Sequence, residues 1–270
     1  MAVSRRNEGS DLGARVLAAI PAIAFAIFIV VQGGTVFAVG IALLGIMASA
    51  ELFKMMRRPG PPVVAGYLSI IALVFAARFG GREQVLLLVA ISVPVVFFFT
   101  LLRPEFENAS WAMAVTFMGI LWIGLAVAHA MLLRKLPHGG GLVLDTLIGT
   151  FVGDTGAYFA GRAWGRRRLS PRLSPNKTVE GLLGGIAVGT FAFWFAGTYQ
   201  DWLNGVDALI IGASVAVAAP IGDLFESLIK RDNHVKDTGR FFGAHGGVLD
   251  RLDAVLFTVV TAYYVALAVL

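Results

Sequence analysis

Long uncharged runs alternate along the chain with short charged interruptions. No charged side chain occurs between Val16 and Ala50. That stretch is too long for one membrane crossing of about 20 residues, and Gln32-Gly33-Gly34-Thr35 divides it in two. Further apolar runs cover Val63–Ala77, Gln84–Leu102, Asn108–Leu133, Leu136–Gly153, Thr178–Gln200, Trp202–Gly222 and Ala254–Leu270. The pattern predicts an all-α chain, a polytopic transmembrane helical bundle of about nine spans. Little sequence remains for a soluble domain. Two parts of one integrated membrane domain are expected. Residues 1–135 form scaffold helices almost free of ionisable groups, and residues 136–270 hold most of the polar material. Within the first part, Glu51 near a helix end is expected to snorkel to the surface, and His129 to be a packed histidine.

Composition agrees with this picture. Of 270 residues 57% are hydrophobic and 14% charged, against roughly 25% charged in soluble domains. Charge placement adds an orientation. With nine spans, 18 of the 22 Lys and Arg fall on the side of the N-terminus and the even-to-odd loops, and 4 on the other. The positive-inside rule then places the N-terminus and both long charged loops in the cytoplasm, and the C-terminus outside. A multi-pass protein of the cell's inner (plasma) membrane is expected, with its polar segments facing the cytoplasm. The net charge of +5 reflects orientation and anionic headgroups rather than nucleic-acid binding. Absence of cysteine excludes disulfides and thiolate chemistry.

Three polar segments converge on the predicted cytoplasmic side. They are Gly153-Asp154 with Tyr158, then Ser174-Pro175-Asn176-Lys177-Thr178-Val179-Glu180-Gly181, then Gly222 through Asp253. Asp250 and Asp253, spaced i, i+3, share a helix face, although acids in a first turn also suit the helix dipole. Asp223 lies at the end of an apolar run, with Glu226 one turn on, and an acid at such depth is by default functional. Acids from two helices would suit Mg²⁺, which takes one or two carboxylates plus substrate phosphates. Asp223, Asp250 and Asp253 are therefore the expected metal ligands, with a second cation left open. Lys230, Arg231, Lys236 and Arg240 fit phosphate neutralisation. In His245-Gly246-Gly247 the glycines would let backbone N–H groups approach an anion, and the histidine would orient a phosphate or relay a proton. Thr178 or Ser174 would cap the helix that follows, with Lys177 as a point charge beside its N-terminus. Asp154 is expected to contact a nucleotide or a metal. The glycines after Thr178 suit close helix packing, and Arg166-Arg167-Arg168 suits anionic lipid. No Ser–His–Asp set, zinc signature or Walker A motif occurs, so the chemistry must lie between substrates, as in phosphoryl and nucleotidyl transfer.

At Ser227-x-Ile229-Lys230-Arg231, Lys236-Asp237-x-Gly239 and Phe242-Gly243-x-His245-Gly246-Gly247-Val248-x-Asp250-Arg251-Leu252-Asp253 the chain resembles the phosphatidate cytidylyltransferase (CDP-diacylglycerol synthase) family. The resemblance is close over roughly 150–253. Asn176, where lysine is frequent, and Gly243, where proline is commoner, depart from the pattern. The resemblance implies CTP and phosphatidate as substrates, CDP-diacylglycerol and pyrophosphate as products, Mg²⁺ dependence and a homodimer among membrane lipids. Catalytic roles would fall to Asp223, Asp250, Asp253, His245, Lys230, Arg231 and Lys236. Substrate contacts would fall to Asp154, Tyr158, Ser174, Asn176, Lys177, Thr178, Ser227, Asp237, Gly246, Gly247 and Arg251. A CTP-dependent polyprenol kinase is the nearest rival, and would pass on the γ-phosphate. A transporter would place charge near the bilayer midplane, whereas here it crowds one face.

Overall fold

The computed structural model describes residues 8–239, 241 and 246–270, with side chains from Ile20 onward, and among these residues nine helices order the chain. They are α1 (Glu8–Gln32), α2 (Gly34–Met55), α3 (Val63–Phe79), α4 (Arg82–Leu101), α5 (Ala109–Lys135), α6 (Gly139–Trp164), α7 (Val179–Gly197), α8 (Gly205–Asp232) and α9 (Leu249–Val269). Each expected apolar run lies on one of these helices. Among the described residues, α2, α4, α5, α7, α8 and α9 are long and apolar enough to cross a membrane, and Ile20–Gln32 and α3 are shorter apolar helices. The protein is a polytopic helical membrane protein. The sequence pattern did not predict the only strands among the described residues, an antiparallel hairpin of β1 (Arg168–Ser170) and β2 (Ser174–Thr178) between α6 and α7.

The expected break after Gln32 is a left-handed turn. Gly33 and Gly34 have φ of 62° and 53°, a conformation that side-chain-bearing residues seldom adopt. Arg134 closes the turn by donating from Nε to the Val30 carbonyl at 2.9 Å. Lys135 does the same for α3, donating to the carbonyls of Ala77 (3.0 Å) and Gly80 (2.6 Å). The helix-end carbonyls, which have no intrahelical partner, are thus satisfied by cations.

The core lies where α2, α3, α5 and α9 meet, with Phe37, Phe53, Ile70, Ile120 and Met131 almost fully buried. Within α5 a π-helical segment, Gly119–Gly124, widens the helix beside Phe53 and Ile70. Large apolar side chains such as Leu86, Phe98 and Phe191 stay exposed on the outer surface, as lipid requires. His129 is packed as expected, its Nδ1 bonded to Leu125 O at 2.7 Å and its Nε2 to Tyr264 Oη at 3.1 Å.

The second half contains the tightest packing. α6 and α7 meet along a glycine seam. A Cβ built on Gly153 would lie 3.3 Å from both the Gly185 carbonyl oxygen and the Gly189 Cα, and one on Gly189 would lie 2.8 Å from the Gly149 carbonyl oxygen. Backbone therefore rests on backbone, the arrangement small residues permit between membrane helices. α8 and α9 also approach closely, at Gly222, where a Cβ would come within 2.5 Å of the Asp253 carbonyl oxygen and 3.1 Å of the Ala254 Cα.

Candidate active site

The charged ends of α6, α8 and α9, with β2, build one polar cluster. On α8, Asp223, Glu226, Ser227 and Lys230 recur at i, i+3, i+4 and i+7, so they occupy a single face. The last turns of this helix are polar on that face, below Pro220. Lys230 is the hub. It pairs with Glu226 one turn back and donates to Asp250 Oδ1 on α9 at 2.9 Å. The Glu226 side chain is fully buried, and its Oε1 has no hydrogen-bond partner.

Asp250 is held from several sides. Its Oδ2 accepts from Gly247 N at 2.7 Å and Thr238 N at 3.0 Å, and its Oδ1 from Thr238 N at 3.2 Å, in addition to Lys230. Asp223 pairs with Lys177 of β2, and Ser227 Oγ lies 3.5 Å from its Oδ1. Asp154 on α6 and Asp253 on α9 are both within electrostatic reach of Asp223. Among the described residues, five carboxylates, Asp154, Asp223, Glu226, Asp250 and Asp253, thus gather around the ammonium groups of Lys177 and Lys230.

The β-hairpin explains how Lys177 reaches this cluster. Thr178 caps α7, its Oγ1 accepting from Gly181 N at 3.1 Å, and so it holds a helix end. Glu180 in the first turn accepts from Arg166 N (2.9 Å) and Arg167 N (3.1 Å), which fixes the start of the hairpin. Arg231 also serves the hairpin, donating from Nε to the Leu173 carbonyl at 3.1 Å. Ser174 pairs with Ser170 across the two strands.

Several expected contacts lie at the rim. Asn176, Lys236, Asp237 and Arg251 are exposed, and Tyr158 is an exposed residue whose hydroxyl accepts from Arg162 Nη1 at 3.1 Å. His245 and Arg240 lie outside the described residues. Gly246 has φ of +81°, a backbone that favours glycine. Its neighbour Gly247 gives its N–H to Asp250, so the anion nearest this turn is a carboxylate of the protein itself.

Among the described residues, no three Asp, Glu or His side chains converge closely enough to hold an ion by themselves. The donors nonetheless have the character a hard cation needs: they are carboxylate oxygens, and one buried acceptor among them, Glu226 Oε1, has no hydrogen-bond partner.

Two residues escaped the sequence reading. Glu226 reads in the sequence only as a neighbour of Asp223, although its i+3 spacing places it on the same face. Glu51 of α2 does not snorkel to the surface as expected. It turns inward and accepts from Val248 N (3.0 Å), Leu249 N (2.9 Å) and Thr238 Oγ1 (3.1 Å). Its signal in the sequence is to be the single acid of a mostly apolar helix, beside the buried Leu52 and Phe53.

The sequence profile of the cytidylyltransferase family matches residues 13–269. The chain belongs to that family. Relatives are similar over most of this family member's length. The phosphatidate cytidylyltransferase of Bacillus subtilis is 30% identical over 94% of this chain and 97% of its own. That of Synechocystis is 28% identical over 93% of this chain and 94% of its own. A shorter match, 39% identical, joins 55% of this chain to 51% of the uncharacterized protein YnbB of Escherichia coli.

Proposed function

We propose that this protein is an integral-membrane enzyme that makes CDP-diacylglycerol and pyrophosphate from CTP and phosphatidate. The observation that carries the reading is the carboxylate cluster at the charged ends of α8 and α9, bridged by Lys230 and faced by Lys177, in a member of the cytidylyltransferase family. No cysteine is present to act as nucleophile. A phosphate oxygen of phosphatidate attacks the α-phosphorus of CTP. The bond from that phosphorus to the oxygen bridging to the β-phosphorus breaks, and pyrophosphate leaves with the electron pair.

The chain's own residues align and neutralise. Lys177 and Lys230 set positive charge at the cluster, and Lys236 adds it from the rim. Arg231 keeps the hairpin, and so Lys177, in place. His245, Gly246 and Gly247 are assigned to the phosphate, and Asp154 and Asn176 to the nucleotide. Asp223, Asp250 and Asp253 would hold Mg²⁺, with Asp250 giving up Lys230 to do so. When bound, the ion would neutralise charge on the phosphate oxygens. The active site would face the cytoplasm, where CTP is made, and the working unit would be a homodimer.

The test uses purified protein in detergent with phosphatidate, Mg²⁺ and CTP labelled at the α or the γ position. Lipid that gains the α label while pyrophosphate is released, with EDTA abolishing both, is the expected result. Lipid that gains the γ label would replace this reading with a lipid kinase, and no transfer from either position would reopen transport.

A further inference from the structure

We infer that Glu51 is a positioning residue for the active site, acting from the opposite half of the chain through the first turn of α9. The first backbone N–H groups of a helix have no intrahelical acceptor and need one from elsewhere. α9 lacks the usual side-chain cap. Its N-cap residue is Val248, which offers no acceptor. Glu51 supplies both, taking Val248 N–H on Oε1 and Leu249 N–H on Oε2 at 3.0 and 2.9 Å. A carboxylate here also meets the positive end of the helix dipole.

Glu51 further joins this helix start to the preceding loop. Thr238 donates its hydroxyl to Glu51 at 3.1 Å and its backbone N–H to Asp250 at 3.0 Å. Thr238 is thus shared between a carboxylate of α2 and the site aspartate of α9. The surroundings are shaped to this carboxylate. A Cβ on Gly239 would lie 2.7 Å from the Glu51 Cδ, and Gly247 is equally close to the same carboxylate group. Two glycines of the charged loop therefore leave room for an acid that lies about 190 residues earlier in the chain. Asp250 is one residue beyond the amides that Glu51 holds, so its direction depends on them.

This inference rests on the proposed cytidylyltransferase activity for its kinetic arm only. Glu51→Gln keeps the size but loses one acceptor and the charge. The expected result is a fall in kcat of about 10–100-fold per folded molecule, the range seen when a group that orients a site ligand is lost. KM for CTP and for phosphatidate should stay within about threefold, as expected of a residue that acts through Thr238, Val248 and Leu249 rather than on a substrate. Hydrogen–deuterium exchange on the substrate-free protein is the second arm. The Val248 and Leu249 amides should exchange faster by about tenfold or more, since among the described residues Glu51 is the acceptor for both and a first turn has none of its own.

Unchanged exchange at those amides overturns the anchoring, and faster exchange with unchanged kcat overturns the positioning role. Should Glu51→Gln fail to fold, Thr238→Val, which removes only the hydroxyl given to Glu51, carries the same two readouts with smaller amplitude. Should the wild-type protein form no CDP-lipid, the proposed function falls, and the exchange arm still decides whether Glu51 anchors α9.

Discussion

At the scale of single residues, the site is a problem of balancing charge. Lys230 serves two acids on different helices, and one of them, Glu226, is fully buried. Removing one partner of a buried ion pair costs about 3–5 kcal/mol, because the remaining charge is left uncompensated. Lys230→Met should therefore lower the unfolding temperature in detergent clearly. Adding Glu226→Gln to it should recover part of the loss, since the amide needs no counter-charge. Recovery absent in the double variant would mean that Lys230 acts through Asp250 alone. Asp250 itself collects donors from Lys230, Thr238 and Gly247. Asp250→Asn keeps its shape but not its charge, and kcat should fall by about 10²–10³-fold, the cost of losing one precisely aimed polar group. A well-folded Asp250→Asn protein with near-wild-type turnover would remove Asp250 from the mechanism.

Elements carry the site through backbone contact as much as through side chains. At Gly222 there is no space for a side chain between α8 and the Asp253 carbonyl. Gly222→Val should cost about 1–3 kcal/mol through overpacking and spread Asp223 from Asp253, so activity should fall further than stability. Equal loss of both would argue that the contact only holds the helices together. Thr178→Ala, which removes the cap of α7, should cost about 1 kcal/mol, read by thermal melting.

Here the limits of sequence reading are physical. Asp223, Asp250 and Asp253 stand out in the sequence because helical spacing fixes which residues share a face and because charge in apolar helices is conspicuous, whereas Glu226 reads there only as a neighbour of Asp223. Close packing at Gly185 and Gly189 is legible from the glycine spacing of α7, whereas Gly153, their partner on α6, reads in the sequence only as part of a polar segment. The 168–178 hairpin was hidden, since its strands are short and polar and are fixed by Glu180 and Arg231 from elsewhere in the chain. Glu51 was misjudged because an acid near a helix end has two outlets, solvent or a distant helix start. Only the tertiary fold decides between them.

For the whole molecule, sidedness is the open quantity, and the absence of cysteine makes it measurable. Single cysteines at exposed positions can be labelled with a membrane-impermeant maleimide in sealed vesicles. Arg58→Cys and Arg172→Cys should react from the cytoplasmic side and Glu83→Cys from the other. Labelling of all three from one side would discard the predicted topology. In the same cysteine-free background, cross-linking between single cysteines tests the proposed homodimer.

The seam between α6 and α7 has a consequence for how this protein can change. Where two large residues touch, enlargement of one can be offset by shrinking the other. At Gly189 against Gly149 and Gly153 both partners are already at the smallest size an amino acid can have, and an added Cβ would lie 2.8 Å from the Gly149 carbonyl oxygen. A Gly189→Ala lesion therefore has no intragenic suppressor at its facing positions. Revertants should map to the original codon, or to distant sites that shift one helix as a whole.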